Sequence, residues 1–268
     1  MTVGLGLALV VAGCAREPAL LHQAQKAGLV EALRAELLAS AEAEKSAVMA
    51  VTDEESEAFA AESRARAQTL DRLRNELRER VVAEGRAREL EKLAAFDAAW
   101  VELRDVDERL LRLAVANSNL KAARLAAGES AQALDRFVDG VAQAGAERTD
   151  PIVLRRLSAA SVAALRVQTL LAPHIASPDD AEMTELETRM RELAAQVEAA
   201  LADAGAQAAA AWRDYERLVA EVIRLSRLNT NVVSVDVSLH EKRQVLEKCR
   251  AALQSLLEEI DSVPRPTR

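Results

Sequence analysis

The sequence predicts an all-α fold: two tandem antiparallel four-helix bundles, each up-down-up-down, in an elongated chain. Three observations predict it. Aromatic residues make up only 2% of the 268 residues, too few to build the strands of a sandwich or barrel. Ala, Leu, Glu and Arg dominate, which is the composition of long helices. Apolar residues step by three and four along most of the chain, so each segment carries a stripe that must be hidden against other helices.

The elements follow in order. Residues 1–18 are set apart as a leader and tether. Eight helices are then expected, over roughly 19–51, 55–84, 86–116, 119–145, 151–173, 179–204, 206–228 and 231–262. Phe59, Ser63, Arg66, Leu70, Leu73, Leu77 and Val81 form the stripe of the second helix. Met183, Leu186, Met190, Leu193 and Val197 form that of the sixth, and Tyr215, Leu218, Val222 and Leu225 that of the seventh. Leu246, Cys249, Leu253, Leu256 and Ile260 form that of the eighth. Asp53-Glu54-Glu55 and Ser177-Pro178-Asp179-Asp180 supply acidic caps where helices begin. Gly85, Gly145 and Gly205 fall where periodic segments meet, and Pro151 opens a helix after Thr149-Asp150. Pro173 and Pro178 bracket the loop 174–177.

The chain also matches itself when shifted by 112 residues. Ala98-Ala99-Trp100 meets Ala210-Ala211-Trp212, and Arg112-Leu113 meets Arg224-Leu225. Asn117-Ser118-Asn119 meets Asn229-Thr230-Asn231. Glu129, Gln132 and Leu134 meet Glu241, Gln244 and Leu246. The expected modules are therefore 19–146 and 147–263, with 264–268 as a tail. Trp100 and Trp212 are candidate core or groove anchors. Asn117, Asn119, Asn229 and Asn231 have two readings. Asn favours turns, which would place a reversal between third and fourth helices. A seam Asn within a continuous helix would instead fix register across the bundle.

Residues 3–11 are an apolar run too short to span a bilayer as a helix, which takes about 20 residues. The run suits the core of an export signal. Val11-Ala12-Gly13-Cys14 resembles the bacterial lipobox. That resemblance implies lipid attachment to Cys14, cleavage before it and a membrane anchor on the periplasmic side of the cell envelope. Ala15, rather than Asp, follows the Cys, which by the same analogy points to the outer membrane. Cys249 is the one remaining cysteine; its place on an apolar stripe reads as a core thiol.

The net charge of −8 argues against nucleic-acid binding, which needs a Lys and Arg excess. His22, His174 and His240 read as surface or helix-end residues, with His240-Glu241-Lys242-Arg243 as a solvated helix turn. No Glu-x-x-His pair, His-Glu-x-x-His, Cys-x-x-Cys-His, phosphate loop or Gly-x-Ser-x-Gly elbow occurs. No catalytic residue, metal ligand or cofactor site is expected.

Glu44-Lys45-Ser46-Ala47-Val48, Phe96-Asp97-Ala98-Ala99-Trp100, and Leu113 to Asn117 through Leu120-Lys121-Ala122 carry a family resemblance. They resemble the four-helix-bundle sensor domain of methyl-accepting chemotaxis receptors. The likeness covers residues 30–146 best, and the region around Leu225 to Asn231 looks like the same module further diverged. The resemblance implies a signal-transduction module outside the inner membrane that binds a small molecule, often near a homodimer interface. No apolar stretch of membrane length follows the fourth or eighth helix, and no kinase-control region follows. The expected function is a non-enzymatic lipoprotein sensor that presents its state to a separate envelope partner. The alternative is a structural spacer without a ligand.

Overall fold

The computed structural model describes residues 16–262. The Cys14 lipid site, the 3–11 run and the 264–268 tail lie outside the described residues. Every long element within them is helical, and there is no strand among the described residues. No described helix is long and apolar enough to cross a membrane.

We number the helices α1 to α8. They are α1 (Arg16–Met49), α2 (Asp53–Glu84), α3 (Ala87–Ala116), α4 (118–146), α5 (Pro151–Ala176), α6 (Asp180–Glu198), α7 (Leu201–Leu228) and α8 (230–261). Thr52 caps α2 by accepting from the Glu55 amide at 3.1 Å, with Asp53, Glu54 and Glu55 in the first turn. Asp150 and Asp179 cap α5 and α6 in the same way. Gly85 ends α2 in the left-handed conformation, φ 65°, a role that residues with a Cβ fill only with strain.

Two expected boundaries move. Helix α5 runs through Pro173 to Ala176, because a proline in the last turn removes a single backbone donor and the Ser177 amide still reaches the Pro173 carbonyl at 3.0 Å. The sixth helix stops at Glu198 rather than near 204, and Gly205, with φ 84°, kinks the start of α7.

Helices α4 and α8 each contain one π segment, Ala126–Ser130 and Ser238–Lys242, at the same 112-residue spacing as the sequence repeat. Such a segment leaves a carbonyl unpaired within its helix. In α4 Gln168 reaches the Ala126 carbonyl at 2.8 Å, and Tyr215 donates to Gln168 at 3.1 Å.

The described residues divide into two compact units, 16–115 with 235–262, and 116–234. The boundary expected at 146/147 is thus not the one found. Unit 1 takes α1, α2 and α3 from the first repeat and its fourth helix, α8 from Val235 on, from the second. Unit 2 takes α4 from the first repeat and α5, α6 and α7 from the second. The repeats exchange their fourth helices. The reason is local: a single non-helical residue separates α3 from α4 and α7 from α8. A reversal between antiparallel helices takes about 2–5 loop residues, so neither fourth helix folds back on the one before it.

The core of unit 1 joins Leu33, Leu70, Leu77, Phe96, Trp100 and Leu103 to Cys249, Leu253 and Leu256. Cys249 is fully buried there; burial first, then the Asp107 and Glu102 charges, pushes its thiol up to about 12. The core of unit 2 joins Phe137 and Val141 to Leu171, Met190, Trp212 and Tyr215. Each unit also has one Phe beside its Trp, from different helices. Phe96 of α3 stacks on Trp100, and Phe137 of α4 tilts against Trp212 with centroids 5.2 Å apart. In the 112-residue register Phe96 corresponds to Ala208 and Phe137 to Cys249. The bulk lies on opposite partners in the two cores.

Candidate functional site

The Asn triplets meet within unit 2. Asn117 and Asn229 are left-handed, with φ 48° and 50°, and among the described residues they are the only positions other than glycine with positive φ. Asn tolerates this conformation better than most side chains. The helix restarts at the next residue, so Ser118 and Asn119, like Thr230 and Asn231, carry first-turn amides with no partner in their own helix. Each triplet supplies acceptors for the other. Ser118 donates its amide to Thr230 Oγ1 at 3.0 Å, and Thr230 donates its amide to Ser118 Oγ at 3.1 Å. Asn119 Nδ2 donates to Asn229 Oδ1 at 2.8 Å, and Asn231 Nδ2 to Asn117 Oδ1 at 2.9 Å. Asn119 Nδ2 also reaches the Ile175 carbonyl, and Asn229 Nδ2 the Ser177 carbonyl. The result is neither a simple reversal nor a continuous helix, but two helix starts capped by each other.

Close by, a second buried array ties α5, α6 and α7. Of the two readings given to His174, surface or helix end, the second holds: it lies in the last turn of α5, and it is fully buried. Its Nδ1 lies 2.9 Å from Ser226 Oγ and its Nε2 lies 3.0 Å from Glu187 Oε1. Arg227 Nε donates to the same Glu187 oxygen at 2.6 Å. Burial pushes the Glu187 carboxyl up, but hydrogen bonds from Arg227 and His174 outweigh it and hold the group below its ordinary value. Ser, His and Glu in a row are the parts of an activated nucleophile, which needs the hydroxyl proton aimed at the imidazole. Here the Ser226 hydroxyl, which has one proton to give, lies 3.0 Å from the His174 carbonyl and 2.9 Å from Nδ1, and both residues are fully buried. The array straps three helices.

Unit 1 has its own buried charges. Lys242, in the turn expected to be solvated, is only 3% exposed; His240 and Glu241 are exposed as expected. Lys242 Nζ lies 2.7 Å from Glu44 Oε2 and 2.8 Å from Asp107 Oδ1. Burial pushes Asp107 above the ordinary carboxylate value, and the Lys242 charge only partly offsets this. At the α2–α3 turn, Lys26 joins Glu84 and Glu89 at 2.6 Å each.

A cleft of about 220 Å³ opens in unit 2 between α5, α6 and α7. Val167, Met190, Trp212, Tyr215, Val219 and Ile223 give it apolar walls, and Glu187, Arg191 and Glu216 are its charged lining. Burial first, then the nearby Glu198 charge, raises the Glu216 carboxyl. Burial likewise raises the Tyr215 hydroxyl. Of the two Trp named from sequence, Trp212 lines this cleft and Trp100 lies in the unit 1 core. Trp100 Nε1 donates to Asp71 at 2.7 Å, whereas Trp212 Nε1 has no acceptor in hydrogen-bonding geometry. Sequence reasoning missed Glu187 and Glu216; the signal for Glu216 was available, since the repeat places Arg104 at the same position.

Among the described residues no three His, Cys, Asp or Glu side chains group as metal ligands. No family model, curated protein or solved structure matches the chain, so the likeness to the chemoreceptor sensor bundle rests on the sequence motifs alone.

Proposed function

We propose that this chain is a non-enzymatic binding protein of the bacterial envelope, a chemoreceptor-like sensor module that holds a small molecule in unit 2 and reports to a separate partner. One observation carries the reading: the apolar cleft beside Trp212 and Tyr215, with a few charged groups in its lining. Ligand sites are concave and mostly apolar, with sparse polar groups that set orientation. The lipobox-like Val11 to Cys14 adds the membrane anchor to this reading, and the sensor-like motifs add the signalling role.

The test is a thermal-shift screen of the full chain against small metabolites. A ligand that binds only the native state stabilises it by RT ln(1 + [L]/Kd), about 2.7 kcal/mol at a hundredfold excess over Kd. At least one compound should raise the melting temperature, and Ala194→Phe, which fills the cleft wall, should abolish the rise. A flat screen would favour the spacer reading.

A further inference from the structure

We infer that the unit 2 cleft takes an organic cation, an amine on a small apolar body, with its ammonium group at Glu216 beside Trp212. This rests on the binding reading above and names the chemistry of the ligand.

The two repeats supply the comparison. In unit 1 the residue four places after Trp100 is Arg104, and its guanidinium carbon lies 5.8 Å from the centroid of the Trp100 ring. A cation over an indole face is attracted by the negative face of the ring, more strongly where water is excluded. In unit 2 the residue four places after Trp212 is Glu216. The chain's own cation is replaced by a carboxylate, and it is here that the cleft opens.

The surrounding charges agree. From α6, Glu198 acts on Glu216 by like-charge repulsion and by a hydrogen bond between the two carboxyls, and no cationic side chain contributes to its state. Glu187 is held by Arg227 and His174, and Arg191 turns its guanidinium to Thr188 Oγ1 at 2.9 Å. From α5 the lining residue is Val167, which is uncharged. Glu216 is therefore the lining carboxylate that no cationic side chain neutralises, shared only with Glu198. Trp212 is only 1% exposed and Tyr215 is fully buried, so an ammonium group would meet the Glu216 carboxylate and not an open indole face.

Linkage gives the proposal a signature. An ammonium beside Glu216 favours its ionised form, so binding expels a proton from the fraction that is protonated. Affinity for an amine then rises with pH through the titration of Glu216, while affinity for a neutral molecule of the same shape does not.

Calorimetry on the full chain with phenethylamine, 2-phenylethanol and 3-phenylpropionate separates charge from shape. Phenethylamine is expected to bind at least about tenfold tighter than 2-phenylethanol at neutral pH, a gap typical of one desolvated charge contact. Glu216→Gln should remove the gap, and Glu216→Arg, which restores the unit 1 pattern, should abolish amine binding while the circular dichroism melt shows the fold retained. Equal or tighter binding of the alcohol or the acid overturns the inference and leaves the binding reading standing. A wider screen that yields only neutral or anionic binders does the same. A wider screen that yields no binder at all overturns both.

Discussion

Asn119 and Asn231 make the same bond in both directions: the backbone amide of each donates to the side-chain oxygen of the other, at 3.1 Å both ways. They lie 112 residues apart and are equivalent in the repeat, so the local two-fold relation of the sequence is also one of hydrogen bonds. Two helix starts bring their positive dipole ends together, and the Oδ1 atoms of Asn119 and Asn231 with the hydroxyls of Ser118 and Thr230 supply the acceptors that make this tolerable.

Asn119→Ala removes an acceptor and a two-bond donor at once and leaves the Asn231 amide and Asn229 oxygen unpaired. The expected loss is about 2–4 kcal/mol, read from urea unfolding. Asn119→Ala combined with Asn231→Ala should cost clearly less than the sum of the single changes, because both act on one network. Additive losses would count against reciprocal capping.

The exchange of fourth helices makes a prediction that two self-contained modules would not share. A protease site inserted in the loop after Arg148 and cut in the folded protein severs the chain between the repeats. The two pieces should still co-elute on size exclusion and part only in denaturant, because each supplies a helix to the core of the other's unit. Modules closed at residue 146 would separate after the cut.

The core comparison predicts a compensating pair. Phe96→Ala empties a fully buried site and should cost about 3–5 kcal/mol. Adding Cys249→Phe reproduces the unit 2 arrangement, in which Ala208 and Phe137 hold the equivalent places, and should recover part of that loss in the urea midpoint.

Lys242→Met strands Glu44 and Asp107 without their cation and should cost about 3–5 kcal/mol at neutral pH. Asp107 itself sets a pH dependence. Its folded value lies above its unfolded one, so its stabilising contribution is full below the ordinary carboxylate range and is lost as pH rises through the raised value. Asp107→Asn does not titrate. Its melting temperature should therefore gain on that of the parent as pH rises from about 4. The difference between the two curves isolates Asp107 from Glu216, which acts in the same sense, and from Glu187, which opposes it.

Most of the helical plan was legible because its signals are local. Asp150, Asp179 and Gly85 sit at helix ends for reasons that involve only neighbouring backbone groups. The stripes through Leu70 and Leu77, or Cys249 and Leu256, name buried faces correctly because a face needs only spacing. Which helix covers which face is not a local property. The repeat gave the equivalence of α4 and α8, but the same stripe serves a neighbour in its own repeat or in the other. The burial of Lys242 was hidden for a related reason. Its sequence neighbours His240 and Glu241 face water, while its partners Glu44 and Asp107 come from helices far along the chain. The cleft was hidden because it arises where the short α6 meets α7, a matter of packing rather than of motif.

The paired π segments have a consequence for the faces beyond them. Ala126–Ser130 and Ser238–Lys242 each hold one residue more than an ordinary turn. Deleting one residue from either would turn every later side chain of that helix by about 100° around its axis, and would carry Phe137 in α4, or Cys249 in α8, away from the core it now fills.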